Sequence, residues 1–181
     1  MVGLRKASAY SKRKVTPFTR TSKRRQKAFI KTLPPHKIVK FDMGKVSEFR
    51  AGKIPHVLSI IALEKVQIRN NAFEACRQFI NKKLEKGLNG LYYFKIVPFP
   101  HHVQRENKML TGAGADRMQS GMQLSFGKSM NKAAILKPGK ELFKIAVYTE
   151  KALVLARAVI KQVNPKLPCK IRTNYEKIDV K

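Results

Sequence analysis

The sequence predicts an α+β domain built as a two-layer sandwich: a mixed or antiparallel sheet with two helices on one face, a long basic N-terminal arm and a long central loop. Three observations point to it. The order strand–helix–strand occurs twice, with irregular sequence between the copies. Each predicted helix has one apolar stripe and an opposite basic face, so each has one side to bury. Hydrophobic residues make up 43% of the 181, enough for the core of one ordinary domain. The domain is expected over residues 36–174, between an arm at 1–35 and a tail at 175–181.

The elements follow in order. Residues 1–40 hold thirteen Lys and Arg and no acid, including Lys12-Arg13-Lys14 and Lys23-Arg24-Arg25. Like charges with few apolar groups between them cannot fold alone, so this segment reads as an arm that orders on a polyanion. Fully extended it would reach roughly 130 Å. The alternatives are a solubilising tail or a localisation signal. His36 to Met43 alternates charged and apolar side chains as a half-buried strand does, with Gly44 and Gly52 marking turns. Val57 to Val66 reads as one strand with an apolar centre. A helix is predicted from Asn71 to Lys86, with Asn71 as N-cap, Glu74 completing a capping box and Gly87 as the stop. Phe73, Cys76, Ile80 and Leu84 share its buried face, joined by Phe79; Arg77, Lys82, Lys83 and Glu85 lie opposite. Gly90 to Pro98 has strand composition, with Tyr92, Phe94 and Ile96 on one side.

After the central segment the pattern repeats. Ala133 to Leu136 is a short apolar run, Pro138-Gly139 a turn, and Glu141 to Tyr148 a strand. A second helix is predicted from Glu150 to Val163, with Thr149 as N-cap. Its buried stripe is Ala152, Leu153, Ala156, Val159, Ile160 and Val163, and Asn164-Pro165 ends it. Lys170 to Thr173 forms a last strand.

Charge narrows the partner. Lys and Arg total 39 against 11 Asp and Glu, a formal net charge of +28. Such a field attracts polyanions, nucleic acid first and an anionic membrane surface second. Both basic amphipathic helices are closely flanked by strands, which favours core packing over a place on a membrane. No run of about 18 apolar residues exists to span a bilayer. No apolar stretch follows Arg5 and Lys6, so a secretory signal is not expected. The Ser/Thr content and lack of acids also suit a transit peptide, but the charge continues unbroken to Lys40. Cys76 and Cys169 are far apart and have no ligand at zinc spacing, which suits a reducing compartment and no structural metal.

The central segment, residues 101–128, invites an enzyme reading that its spacing rejects. Gly112-Ala113-Gly114 begins a dinucleotide fingerprint, but the third glycine position holds Arg117 and no strand leads into it. Gly127-Lys128-Ser129 resembles the end of a phosphate-binding P-loop, but Met122 stands where its first glycine is required. His101 and His102 with Glu106 and Asp116 suggest a metal or acid–base site, yet adjacent histidines on an extended segment point opposite ways. Close backbone approach fits better. Gly112 and Gly114 remove side chains, while Arg105, Lys108 and Arg117 supply phosphate contacts. A plain linker is the bland alternative.

Asn107 to Met122, NKMLTGAGADRMQSGM, resembles the central loop of the universal large-subunit ribosomal protein sixteen family, called ten-e in its archaeal and eukaryotic branch. Pro98 to Glu106 is similar to that family's approach to the loop and Phe126-Gly127-Lys128 to its exit. Looser similarity covers residues 36–173. The sequence departs from the pattern at Gln123, where the family commonly has Arg, and at Ser129-Met130-Asn131-Lys132, where it usually has Pro and a Gly-containing turn. The arm also matches poorly.

The resemblance implies a structural component of the large ribosomal subunit, cytoplasmic within the ribosome, with no catalytic residue, cofactor or metal. Its implied partners are large-subunit RNA beside the aminoacyl-tRNA site, tRNA in the aminoacyl and peptidyl sites, and neighbouring large-subunit proteins. No membrane contact and no homo-oligomer is implied. The loop would approach the peptidyl-transferase centre, supporting tRNA positioning and late subunit assembly. The expected RNA contacts are Arg13, Lys14, Arg24 and Arg25 on the arm, His101, His102, Arg105, Lys108, Gly112, Gly114 and Arg117 on the loop, and Lys128 and Lys132 beyond it. Phe99, Phe126 and the histidines are expected to stack on bases. The competing readings are a non-ribosomal RNA-binding or RNA-chaperone module and, behind it, an RNA-processing enzyme.

Overall fold

A computed structural model describes residues 33–106 and 128–178 together with Ser11, Ala113 and Gly114; for Arg105, Glu106 and Lys128 it describes the backbone alone. The elements are β1 (Asp42–Gly44), α1 (Val46–Arg50), β2 (His56–Ala62), β3 (Val66–Arg69), α2 (Asn70–Leu88), β4 (Tyr92–Ile96), β5 (His102–Glu106), β6 (Lys128–Leu136), β7 (Glu141–Val147), α3 (Glu150–Val163) and β8 (Ile171–Lys177). The α+β class is as the sequence predicts. The strands, however, form two antiparallel sheets rather than one: β1-β4-β7-β2-β8 and β3-β6-β5.

Strand β7 lies at the centre of the larger sheet because its inward residues are large and apolar. Phe143 lies opposite Ile60 on β2 and Ile96 on β4, and Ile145 lies opposite Leu58 and Phe94. These rows face α2 and α3 and form one core with Phe73, Cys76, Ile80 and Leu84 of α2 and the predicted stripe of α3. Thr149 caps α3 as predicted, its Oγ1 accepting from Ala152 N at 3.3 Å. The opposite face carries Ile54, Val57, Tyr93 and Ala146, against which Val46 and Phe49 of α1 pack. Phe49 stacks on Tyr93 with ring centroids 4.1 Å apart. At five residues, α1 is too short for a periodic pattern to reveal it.

Five expectations need correction. Residues 36–41 are not a strand. Val39 N–H donates to Glu74 on α2, and the strand that pairs with β4 is Asp42–Gly44, preceded by one bond in which Phe41 O accepts from Ile96 N at 2.8 Å. The single strand expected from Val57 to Val66 is two, broken at residues 63–65, and the second belongs to the other sheet. Asn71 does not cap α2. Arg69 stands at the N-cap without a side-chain hydrogen bond, and the Glu74 carboxylate accepts from Arg77 Nη2 at 2.6 Å, Arg77 Nε at 2.8 Å and Gln78 instead. Those bonds, the Arg77 ones foremost, hold the Glu74 carboxyl below its ordinary pKa. Gly87 does not stop the helix, which runs to Leu88 and ends at Asn89 in the left-handed region, φ 46°. A Cβ on Gly87 would lie 2.5 Å from Leu155 Cδ1, so the glycine lets α2 and α3 approach. The last strand extends to Lys177, beyond the expected Thr173.

Gly44 is the position least able to accept a side chain. Its φ is +79°, and a Cβ would lie 2.0 Å from the Tyr92 carbonyl oxygen. That oxygen cannot retreat freely, because it accepts from Lys45 N at 2.8 Å. Gly44→Ala is expected to destabilise the fold by about 2–4 kcal/mol, combining left-handed strain with overpacking. Chemical denaturation would show a lower midpoint at unchanged slope; a midpoint equal to the parent's would contradict the geometry.

Candidate nucleic-acid interface

The central segment is mounted on a ribbon. The expected loop of residues 101–128 contains strand at both ends, so the connecting stretch is residues 107–127. Ala133 to Leu136 of β6 pair with β3, whose next residues begin α2. Beyond Ala133, among the described residues, β6 pairs with β5 alone. The two-stranded part runs from Val103 opposite Lys132 to Glu106 opposite Lys128, a reach of about 14 Å. A two-stranded ribbon is marginal by itself; here β3 joins its base to the core. A register shift at Gln104–Arg105 leaves Met130 without a partner, which bends the ribbon and raises its twist.

The register also assigns faces. Val66, Ile68, Ala134 and Leu136 turn into the core. Gln67, Arg69, Ala133, His102 and Gln104 share the other face. That face is polar, yet Gln67, His102 and Gln104 are each less than 8% exposed. Burial holds the His102 imidazole below its ordinary pKa.

The predicted RNA contacts distribute unevenly. His101 is exposed and its ring lies 4.6 Å from that of Phe99, whereas His102 is buried. Lys132 is half-buried on β6, and Arg105 and Lys128 occupy the two ribbon strands. Gly114 is exposed with φ +81°, and among the described residues nothing lies within 4 Å of its Cβ position. It is therefore required for its backbone conformation. Arg13, Lys14, Arg24, Arg25, Lys108, Gly112 and Arg117 lie outside the described residues, as do Asp116 and Phe126. Arg77, read as part of a basic face, is instead bound to Glu74 with its side chain 13% exposed. Lys82, Lys83, Lys151, Arg157 and Lys161 are exposed as expected. Among the described residues no group of three His, Cys, Asp or Glu is placed to hold a metal, and no helix is long and apolar enough to cross a membrane.

An aromatic group beside the ribbon base escaped the sequence reading. Phe99 stacks on His36 at 5.0 Å and on Phe41 at 5.4 Å, joining segments about sixty residues apart. Phe41 and His36 read as residues of one strand, and no periodicity links either to Phe99. Lys140, on the Pro138-Gly139 turn, stands near the same group.

Residues 17–174 match the family model described as ribosomal protein L16p/L10e, which extends the similarity into the arm. The large ribosomal subunit protein uL16 of Methanoculleus marisnigri is 44% identical over 138 residues, covering 74% of this chain and 79% of that protein. Its counterpart in Pyrobaculum arsenaticum is 38% identical over 174 residues, covering 96% of this chain and 92% of that one. Its counterpart in Archaeoglobus fulgidus is 35% identical over the same length, with coverage of 96% and 94%. A ribbon-mounted central segment on a basic α+β core and a family match across most of the chain lead to one conclusion: the chain belongs to the ribosomal protein L16p/L10e family, whose members are structural proteins and not enzymes.

Proposed function

We propose that the protein is a constituent of the large ribosomal subunit that binds large-subunit RNA beside the aminoacyl-tRNA site and carries residues 107–127 towards the peptidyl-transferase centre. The observation that carries this reading is the two-stranded ribbon, clamped to the core through β3 and ending in the segment that holds Lys108, Gly112, Gly114 and Arg117. The core acts as a mount. Arg105, Lys108 and Arg117 contact phosphates, and the glycines let the backbone approach the tRNA ends. The arm, through Arg13, Lys14, Arg24 and Arg25, tracks RNA away from the loop, and Lys128 and Lys132 contact it along the ribbon. The partners are large-subunit RNA, tRNA in the aminoacyl and peptidyl sites, and neighbouring large-subunit proteins; the protein acts as a single copy in tRNA positioning and late subunit assembly.

Electrostatics supports the reading. The 11 acids can pair with at most 11 of the 39 cations, so most positive charge is free for phosphate. With Z phosphate contacts, log K falls against log salt with a slope of roughly −0.7Z to −0.9Z. Shape and backbone contacts to folded RNA then set the position. Sedimentation of a tagged chain tests the proposal. It is expected to stay with large subunits through a high-salt cushion at about one copy each. Release into RNA-free fractions, or a copy number far below the subunits', would identify a transient RNA-binding module instead.

A further inference from the structure

Between the ribbon base and the Pro138-Gly139 turn lies a cleft of about 340 Å³. Ligand pockets for small molecules begin at about this size, so it suits one nucleobase and not a helix. Its apolar wall is Val97, Pro98 and Ile135; the Phe99 and His101 rings form a second wall, and Lys140 stands at its edge. The backbone on both sides is fixed: Val97 N–H donates to Leu142 O at 3.1 Å, and Lys140 O accepts from Ala62 N at 3.0 Å.

Phe99 is held but not covered. Three rings, those of His36, Phe41 and His101, lie within 5.4 Å of it, yet it remains 46% exposed. An aromatic ring that is fixed by neighbours and still open to solvent loses little freedom when it stacks on a ligand. A lysine that lines the same cleft as such a ring matches the phosphate that accompanies a base. A purely apolar side chain from a neighbouring protein would leave Lys140 unmatched.

We propose that this cleft is a subsite for one unstacked nucleotide of RNA, its base against Phe99 and His101 and its phosphate at Lys140. The subsite rests on the RNA-binding reading above and adds a ligand class and a location to it. Stacking tolerates any base, so the subsite selects an unpaired nucleotide by shape rather than by sequence.

Zero-length ultraviolet crosslinking of intact large subunits carrying the full chain tests this. A nucleotide adduct is expected on the peptide containing Phe99 and His101. Phe99→Leu keeps bulk but loses the ring and is expected to lower adduct yield about tenfold, while Phe99→Tyr retains it. Lys140→Gln is expected to flatten the salt dependence of the free protein's binding to large-subunit RNA by about 0.7–0.9 in slope. Subunit incorporation is measured in the same samples. Normal incorporation without an adduct there, an adduct unchanged in Phe99→Leu, or a neighbouring protein's side chain seated in the cleft overturns the subsite alone. A parent chain that never enters large subunits overturns the RNA reading with it.

Discussion

Large subunits whose copy of this protein has residues 107–117 replaced by a short Gly/Ser linker are expected to assemble with the protein bound but to be absent from polysomes. The replacement spares the hydrophobic core and the ribbon pairs described above, all of whose residues lie outside 107–117. It removes Lys108 and Arg117, so RNA affinity loses at most two phosphate contacts and the salt slope falls by no more than about 1.4–1.8. Most of the binding, spread over the arm and core, persists. What is lost is whatever the far end of the ribbon touches. Gradient profiles of cells dependent on the variant read the outcome directly: free large subunits accumulate and polysomes disappear. Normal polysomes would mean that the segment is a linker and that the core and arm carry the whole function.

Phe143→Ala is expected to be the most damaging single truncation of the core. Phe143 is 1% exposed, sits on the central strand and meets Phe73 edge-on and Phe94 at a tilt, each with ring centroids 5.8 Å away. Its row, Ile60–Phe143–Ile96, joins β2, β7 and β4 under both long helices. Three strands and α2 border the space it leaves, so collapse onto it is resisted from several sides. The cost is about 3–5 kcal/mol, a fall in Tm of roughly 6–20 °C. Calorimetry of the purified protein checks it, and a Tm within about 2 °C of the parent would show that the core repacks.

The parts of this fold that were legible in the sequence are those whose pattern is local. The apolar stripe of α3 and its Thr149 cap stand where periodicity places them, and so do Phe73, Cys76, Ile80 and Leu84 on α2. Non-local choices were hidden. The split between β2 and β3 depends on Leu63 to Lys65 turning the chain towards a second sheet, which no period-2 pattern announces. The ribbon strands were read as loop because Gln104, Asn131 and Lys132 break the alternation; backbone pairing holds these strands, and side-chain pattern carries no trace of it. Asn71 had a cap residue's identity, but the bonds from Arg77 and Gln78 to Glu74 made the capping box unavailable. For the site, the central segment's glycines and cations were visible at once, whereas the grouping of His36, Phe41, Phe99 and Lys140 exists only after folding.

The two buried cysteines have a practical consequence. Burial raises the Cys76 thiol to about 12 and the Cys169 thiol to about 11. Both groups stay thiols at ordinary working pH, and both residues are buried. The folded protein is in effect silent to maleimides and iodoacetamide. A cysteine placed at the exposed Ala113 would therefore take a fluorophore or a cleavage reagent alone, with the native thiols left as they are. The surroundings of the ribbon tip can then be reported from within the ribosome without first stripping the protein of its own sulfur.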